Sequence, residues 1–288
     1  MTSDTKKPEW LKIKYNQSEI RAVYEMLSKL NLNTVCREAE CPNMGECFKN
    51  RTATFMILGK SCTRNCRFCS IDHGKPDEVS PDEPERIADA ARSLGLSHVV
   101  LTSVTRDDLP DGGASHFARC VEEIRKALPK ATVEVLIPDL KLNKDALDTV
   151  IRSNPTVINH NTETVKRLYP SVRPQAIYER SLAVLAYVKE KAPGIFTKSG
   201  IMVGLGETKD EVLELFSDLR RAGCDILTVG QYLRPSEQQI EMKEYVTPET
   251  FREYSDAGYA MGFRFVASGP LVRSSYMAAK ALQSGEKA

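Results

Sequence analysis

Residues 53–69 read Ala53-Thr-Phe-Met-Ile-Leu-Gly-Lys-Ser-Cys62-Thr-Arg-Asn-Cys66-Arg-Phe-Cys69. The apolar run Ala53–Leu58 has the length of a buried strand, and three closely spaced cysteines follow it. A thiolate is a soft ligand suited to iron–sulfur clusters and to zinc. A strand that ends in such a loop puts a metal-binding site at its C-terminal end. Further along, His98–Val104, Val133–Ile137, Val157–Asn161, Gly200–Gly204 and Ile226–Leu233 repeat the apolar run without the cysteines.

Between these runs the periodicity becomes helical. Ile87, Ala91 and Leu94 share one face, as do Phe117, Cys120, Val121, Ile124 and Leu128. Leu147, Val150 and Ile151 mark a third helix, Ile177, Leu182 and Leu185 a fourth, and Val212, Leu215, Phe216 and Leu219 a fifth. Ser80-Pro-Asp-Glu83 and Thr208-Lys-Asp-Glu211 carry the capping-box pattern, with Pro81 at the first helical position of the former. Six strands alternating with helices imply parallel βαβ units with right-handed crossovers. The expected fold is α/β, a partial (β/α)6 barrel, with a doubly wound sheet as its rival. Either fold puts its active site at the C-terminal strand ends, where the 62–69 loop falls.

Three parts follow. Residues 1–50 are an N-terminal extension, with Ile20, Val23, Leu27 and Leu30 on one helix, then Cys36-x4-Cys41-x5-Cys47. They hold too few apolar residues for a core of their own. Residues 51–246 form the barrel. Residues 247–288 form a short C-terminal extension: a helix over Thr247–Met261 with Phe251, Tyr254 and Met261 inward, a strand-like run Phe263–Pro270, Arg273-Ser-Ser-Tyr276 and a polar tail.

At 288 residues and 41% hydrophobic the chain can bury a sizeable core. A net charge of +1 gives no electrostatic reason to expect nucleic acid or an anionic membrane as partner. No stretch approaches the roughly twenty apolar residues of a membrane span, and Met1–Lys12 lacks the apolar core of a signal peptide. The expected compartment is a reducing cytoplasm, where six of eight cysteines in two triplets favour metal chemistry over disulfides. By spacing alone Cys62, Cys66 and Cys69 fit a cluster or a zinc site; a structural zinc needs a fourth ligand, and His73 is the only one near. Cys120, on an apolar helix face, and Cys224, at a helix–strand junction, read as packing residues.

With the aromatic residue before its last cysteine, Cys62-Thr-Arg-Asn-Cys66-Arg-Phe-Cys69 resembles the CxxxCxxC motif of radical S-adenosylmethionine enzymes. The resemblance implies a 4Fe–4S cluster on these thiolates, its fourth iron binding the amino and carboxylate groups of S-adenosylmethionine. One-electron reduction then gives a 5′-deoxyadenosyl radical that takes a hydrogen atom from substrate. Gly200-Ile-Met-Val-Gly204-Leu-Gly-Glu207 resembles the family's GxIxGxxE stretch near the adenine, with Met202 in place of isoleucine, and so implicates Gly204 and Glu207. The family's GGE motif is absent: the second strand ends Leu101-Thr-Ser-Val-Thr-Arg-Asp-Asp108, leaving Thr102, Ser103 and Asp107 as candidate acceptors for the cofactor's amino group. Asn159, His160 and Asn161 read as polar contacts to cofactor or substrate, with a hydrogen-bonded structural histidine as the alternative at 160, and Arg173 as a partner for the cofactor carboxylate or for solvent alone.

The first triplet, Cys36-Arg-Glu-Ala-Glu-Cys41-Pro-Asn-Met-Gly-Glu-Cys47, resembles the CxxxxCxxxxxC motif of lipoyl synthases. Lys7-Pro-Glu-Trp-Leu11, Thr105–Gly113, Asn159–Thr164, Gly230–Ser236 and Ser268–Tyr276 extend the resemblance over nearly the whole chain. It implies an auxiliary 4Fe–4S cluster on Cys36, Cys41 and Cys47, completed by a serine of the Arg-Ser-Ser-Tyr segment at the position of Ser275. Such an enzyme inserts sulfur from the auxiliary cluster at C6 and C8 of an octanoyl chain held on a carrier lysine. The implied partners are octanoylated lipoyl carrier proteins (lipoyl domains of 2-oxoacid dehydrogenases and the glycine cleavage H protein) and an electron donor such as flavodoxin or ferredoxin. Rivals are another sulfur-inserting enzyme, similar to biotin synthase or the methylthiotransferases, and an iron–sulfur electron-transfer protein. One departure stands out: after Arg-Pro-Ser the family commonly shows His-Leu-Pro-Val, whereas here the run is Gln239-Ile-Glu-Met-Lys243.

Overall fold

In the computed structural model, which describes residues 7–11, 32–34, 43, 51–276 and 278–283, eight strands pair in chain order. They are β1 Asn33–Thr34, β2 Thr52–Ile57, β3 His98–Ser103, β4 Thr132–Leu136, β5 Val157–Asn159, β6 Phe196–Val203, β7 Ile226–Gln231 and β8 Phe265–Gly269. Only β1 runs antiparallel, with Asn33 facing Met56; β2 to β8 are all parallel. Among the described residues β8 does not return to β1, so the sheet is an open, partial barrel.

Helices follow the strands: α1 Glu83–Ser93, α2 Ala114–Ala127, α3 Lys144–Arg152, α4 Tyr169–Val172, α5 Tyr178–Lys191, α6 Lys209–Arg221, α7 Pro248–Ala260 and α8 Ala278–Gln283. The period of two along each strand divides the sheet into unlike faces. Phe55, Val99, Leu101, Val133, Val135 and Ile158 pack with Ile87, Phe117, Ile124 and Val184 from the helices. Burying one such side chain contributes about 1.5–3 kcal/mol. Leu227 and Val229 pack likewise with Phe216 and Phe251. Cys120 and Cys224 are buried in these two layers, as their patterns predict.

Several of the alternate positions carry buried polar groups, among them Thr54, His98, Thr102, Glu134, Asn159 and Lys198. Lys198 Nζ on β6 lies 2.9 and 3.0 Å from the two Glu134 oxygens on β4, with both side chains only 1% exposed. Asn159 Nδ2 on the intervening β5 donates to Glu134 at 3.0 Å, and His98 Nε2 lies 3.8 Å from the same carboxylate. Burial works to raise the Glu134 carboxyl, but Lys198 and His98 prevail and hold it at about 2.

Three details differ from the sequence reading. The run 263–270 is not an appendage: β8 is a seventh parallel strand, paired to β7 from Ile226↔Phe265 to Gly230↔Gly269. The capping box at Ser80 does not form. Helix α1 starts at Glu83 with Asp82 as N-cap, and Pro84 rather than Pro81 occupies its first turn. Glu83 instead turns inward, accepting from Leu58 N at 3.0 Å and lying 2.7 Å from His116 Nε2. Met261 is exposed rather than inward, as the residue just past α7. The second box forms as read: Thr208 Oγ1 accepts from Glu211 N at 3.3 Å while Glu211 Oε2 accepts from Thr208 N at 2.8 Å. Among the described residues no helix is long and apolar enough to cross a membrane.

Candidate metal centre

The 62–69 loop leaves the C-terminal end of β2 and is held from three directions. On the β3 side, Thr63 N and Oγ1 both donate to Thr105 O, at 3.0 and 2.9 Å, and Thr105 N points to Cys62 Sγ at 3.3 Å. On the α4 side, Arg67 N donates to Val172 O at 2.9 Å and Asn65 N donates to the Gln175 side chain. From beyond β7, Ile240 N donates to Arg67 O at 2.8 Å and Gln239 Nε2 to Cys69 O at 3.2 Å. Within the loop, buried Arg64 makes a two-pronged pair with Asp107 (2.6 and 3.0 Å) and reaches Asp139 at 2.7 Å.

Two of the loop's three sulfurs lie under N–H groups: Arg64 N stands 3.4 Å from Cys62 Sγ and Ile71 N 3.4 Å from Cys69 Sγ. Burial pushes the Cys66 thiol up, with Arg173 opposing it, and pushes Cys69 up to about 12. Such thiols shed their protons when a metal cation supplies the missing positive charge. Among the described residues no three His, Cys, Asp or Glu side chains meet at a single ion. A 4Fe–4S cluster does not require that, because each of its thiolates binds a different iron. The donor set therefore fits a cluster.

The residues read as cofactor contacts line the same end of the sheet, in three kinds of environment. Ser103 Oγ, Asn159 Oδ1, Asn161 Oδ1 and Arg173 Nε are buried without a partner within the protein. Buried polar groups are normally satisfied, so these four fit a polar ligand such as S-adenosylmethionine. Thr102 and Asp107 are already engaged, Thr102 Oγ1 with Leu136 O at 3.2 Å and Asp107 with Arg64. Glu207 folds the turn after β6 by accepting from Gly204 N and Leu205 N. Gly204 has φ +98°, and a Cβ there would lie 2.3 Å from Gln231 Nε2. Backbone geometry and packing therefore both require glycine.

His160 serves the structure instead of a ligand. Its Nδ1 donates to Ile137 O at 2.9 Å, and its Nε2 accepts from Ser181 Oγ at 3.1 Å, which in turn accepts from Tyr169 OH. Burial, then the charge of Arg173, pushes the ring down to about 4, so it stays neutral. Arg173 donates to the carbonyls of Asn161 and Thr162 at 2.9 and 3.2 Å, stacks over Tyr169 and faces Cys66.

Sequence reasoning overlooked Glu163. It has φ +66°, exchanges backbone bonds with Gly200 O and Met202 N, and accepts from Asn161 Nδ2 at 3.0 Å. Burial raises its carboxyl, with Arg173 opposing, and its charge is felt at both Cys66 and Cys69. The available signal was its place within Asn159-His-Asn-Thr-Glu-Thr164.

Cys36, Cys41 and Cys47 lie outside the described residues. Between the last two, Asn43 is buried, and its Nδ2 donates to Leu271 O at 2.6 Å. Ser275 stands four residues beyond Leu271, half-buried in a turn closed by Tyr276 N to Arg273 O at 2.8 Å.

An open parallel sheet with a three-cysteine loop at its mouth defines the radical S-adenosylmethionine class. The family model described as Radical SAM superfamily matches residues 56–219. Two solved structures share the fold: the FeFe-hydrogenase maturase HydG from Carboxydothermus hydrogenoformans and a methylornithine synthase. The first has a TM-score of 0.62 at 14% identity, covering 93% of this chain and 70% of that one. The second has a TM-score of 0.57 at 12% identity, covering 88% and 86%. Among curated relatives, the lipoyl synthase of Caldanaerobacter subterraneus subsp. tengcongensis is 60% identical over 273 residues, 95% of this chain and 96% of that protein. The lipoyl synthase of Alkaliphilus metalliredigens is 54% identical over 283 residues, 98% of each. The chain belongs to the lipoyl synthase family of the Radical SAM superfamily.

Proposed function

We propose that this enzyme inserts two sulfur atoms, at C6 and C8, into an octanoyl group held on a carrier-protein lysine. The observation that carries this reading is the loop of Cys62, Cys66 and Cys69, at the sheet's C-terminal mouth beside four unpartnered buried polar atoms. When bound there, a 4Fe–4S cluster and S-adenosylmethionine supply the electron and the hydrogen abstraction that unactivated C–H bonds require. The chain's own residues hold and orient them. Cys62, Cys66 and Cys69 would each bind one iron; Arg173 would offer its Nε–H to a carboxylate; Ser103, Asn159 and Asn161 would offer oxygens to ammonium or hydroxyl groups. Glu163 adds a carboxylate facing the same space.

Cys36, Cys41, Cys47 and Ser275 would hold a second cluster, which would supply the sulfur. The Asn43–Leu271 hydrogen bond supports it, since it ties the first cysteine segment to the chain leading to Ser275. An oxygen is a poor partner for soft iron, which makes Ser275 the labile corner. In this reading the outer segments, 1–50 and 247–288, carry the auxiliary ligands, and 51–246 carries the radical site. The partners are octanoylated lipoyl domains or H protein, with a flavodoxin or ferredoxin as electron donor, in the cytoplasm.

The test is anaerobic incubation with S-adenosylmethionine, a reductant and an octanoylated carrier peptide, read by mass spectrometry. Cys69→Ala abolishes cofactor cleavage, whereas Cys41→Ala spares cleavage and prevents sulfur insertion. Equal loss of both activities in the two variants refutes this division of labour.

A further inference from the structure

The segment joining β7 to α7 holds the run that departs from the lipoyl synthase pattern, and its inner side lies on the cysteine loop. Gln239 is fixed there at both ends of its amide: Oε1 accepts from Ser236 Oγ at 2.7 Å, and Nε2 donates to Cys69 O at 3.2 Å. The next residue, Ile240, donates its N–H to Arg67 O at 2.8 Å and accepts at its carbonyl from Tyr232 OH at 2.8 Å. Ile240, Met242 and Phe68, the last inside the cysteine motif, pack against one buried cluster of Val172, Leu205 and Tyr232.

The feet of this segment are anchored as well. Gln231 donates to Glu244 O at 3.0 Å and accepts from Val246 N at 2.8 Å, while Lys243 N donates to Gly204 O at 2.8 Å. The outer side, Arg234 to Gln238, is exposed. A braced strap thus presses on the turn Cys66–Cys69, which is closed on itself by Cys69 N to Cys66 O at 3.0 Å.

We propose that Gln239, with Ile240 beside it, is a positioning residue for the metal centre. Holding the carbonyls of Arg67 and Cys69 from outside fixes the Arg67–Phe68 and Cys69–Ser70 peptide planes, which bracket the Phe68–Cys69 pair, and so the direction of the Cys69 thiolate. Gln239 acts through Cys69 and contacts no iron. A histidine at 239, as in the common family pattern, also has an N–H to donate, whereas alanine has none. This inference rests on assigning a cluster to Cys62, Cys66 and Cys69.

The test uses the full chain with Cys36, Cys41 and Cys47 changed to alanine, reconstituted anaerobically so that one cluster remains. Iron release to a chelator is timed, and the electron paramagnetic resonance signal of the reduced cluster is recorded with and without S-adenosylmethionine. Gln239→Ala releases iron about fivefold faster, the factor that one neutral hydrogen bond supports, and its signal broadens. Gln239→His stays within about twofold of the parent, and Gln238→Ala on the exposed side matches it, the margin being that of an ordinary surface substitution. Metal-free Gln239→Ala unfolds at the parental denaturant concentration, which separates a clamp from general stability. Parental iron release and line shape in Gln239→Ala, failure of histidine to rescue, or an equal loss in the metal-free protein would each overturn the clamp. A parent that takes up no iron overturns the cluster assignment, and the clamp with it.

Discussion

Replacing Asp139 by asparagine tests how the cysteine loop is anchored on its β4 side. Asp139 is fully buried and accepts three bonds: from Arg64 Nη2 at 2.7 Å, Arg180 Nε at 2.8 Å and Lys141 N at 3.0 Å. Asparagine keeps the volume and one acceptor, which remains with Arg64 and Lys141. Its amide nitrogen then faces Arg180, a side chain 20% exposed that can turn to water. Removing one partner of a buried ion pair costs about 3–5 kcal/mol, but Arg64 retains both bonds to Asp107. The loss is then closer to that of one or two charge-assisted bonds, about 2–3 kcal/mol in all.

Burial works to raise the Asp139 carboxyl, and the Arg64 pair overrides it, holding it well below the usual carboxylate range. A depressed carboxyl contributes stability above its unfolded pKa of about 3.9, lost as pH falls toward the folded value. The gap between wild type and Asp139→Asn in anaerobic urea unfolding of the metal-free protein is therefore constant from pH 6 to 8 and narrows below about pH 4. A gap below about 0.5 kcal/mol at pH 7, no larger than that of an ordinary surface substitution, or one that widens in acid, refutes the reasoning.

His160, held neutral with its pKa near 4, titrates near 6.5 once unfolded. Its stabilisation is complete above pH 6.5 and is lost as pH falls toward 4, by up to about 3 kcal/mol; His160→Gln flattens that limb of the unfolding curve, and an unchanged limb contradicts the assignment. Lys198→Met leaves Glu134 buried without its cation and costs about 3–5 kcal/mol in denaturant unfolding. Adding Glu134→Gln recovers part of it, and a double variant no better than the single one speaks against the pair. At Gly204, φ +98° and a Cβ 2.3 Å from Gln231 Nε2 and 2.5 Å from Glu244 O make Gly204→Ala destabilising by about 2–4 kcal/mol. Limited proteolysis of the 233–246 segment should rise with it; wild-type resistance and stability together argue against the packing.

Six parallel strands were legible because each is a short apolar run before a change of period, as in Ala53–Leu58. The seventh was harder: Arg264 interrupts Phe263–Val266, and Ser268-Gly-Pro reads as a turn. In the fold Arg264 swings out over the Phe196 ring, 4.6 Å from its centroid, leaving the strand free to pair.

Pairings across long separations were hidden. Asp107 looked like a free acceptor until Arg64, 43 residues earlier, occupied it. His160 looked like a contact to cofactor or substrate because its partners, Ile137 and Ser181, lie over twenty residues away on either side. Nothing local in the sequence reveals that Glu134 pairs with Lys198 two strands across. Gln239 looked like a lost histidine, yet its amide meets Cys69 across 170 residues.

The contact between Asn43 and Leu271 spans 228 residues of sequence, and it joins segments at the opposite margins of the sheet. No local element sets their separation; the accumulated curl does. Each strand pair turns by roughly 20–25° relative to the last, and seven pairings separate β1 from β8. A few degrees lost at any one pairing is carried to the margin, so the sheet works as a vernier for the distance between its two edges. Substitutions deep in β4 or β5, far from any cysteine, can therefore detune the meeting of those edges without touching a ligand.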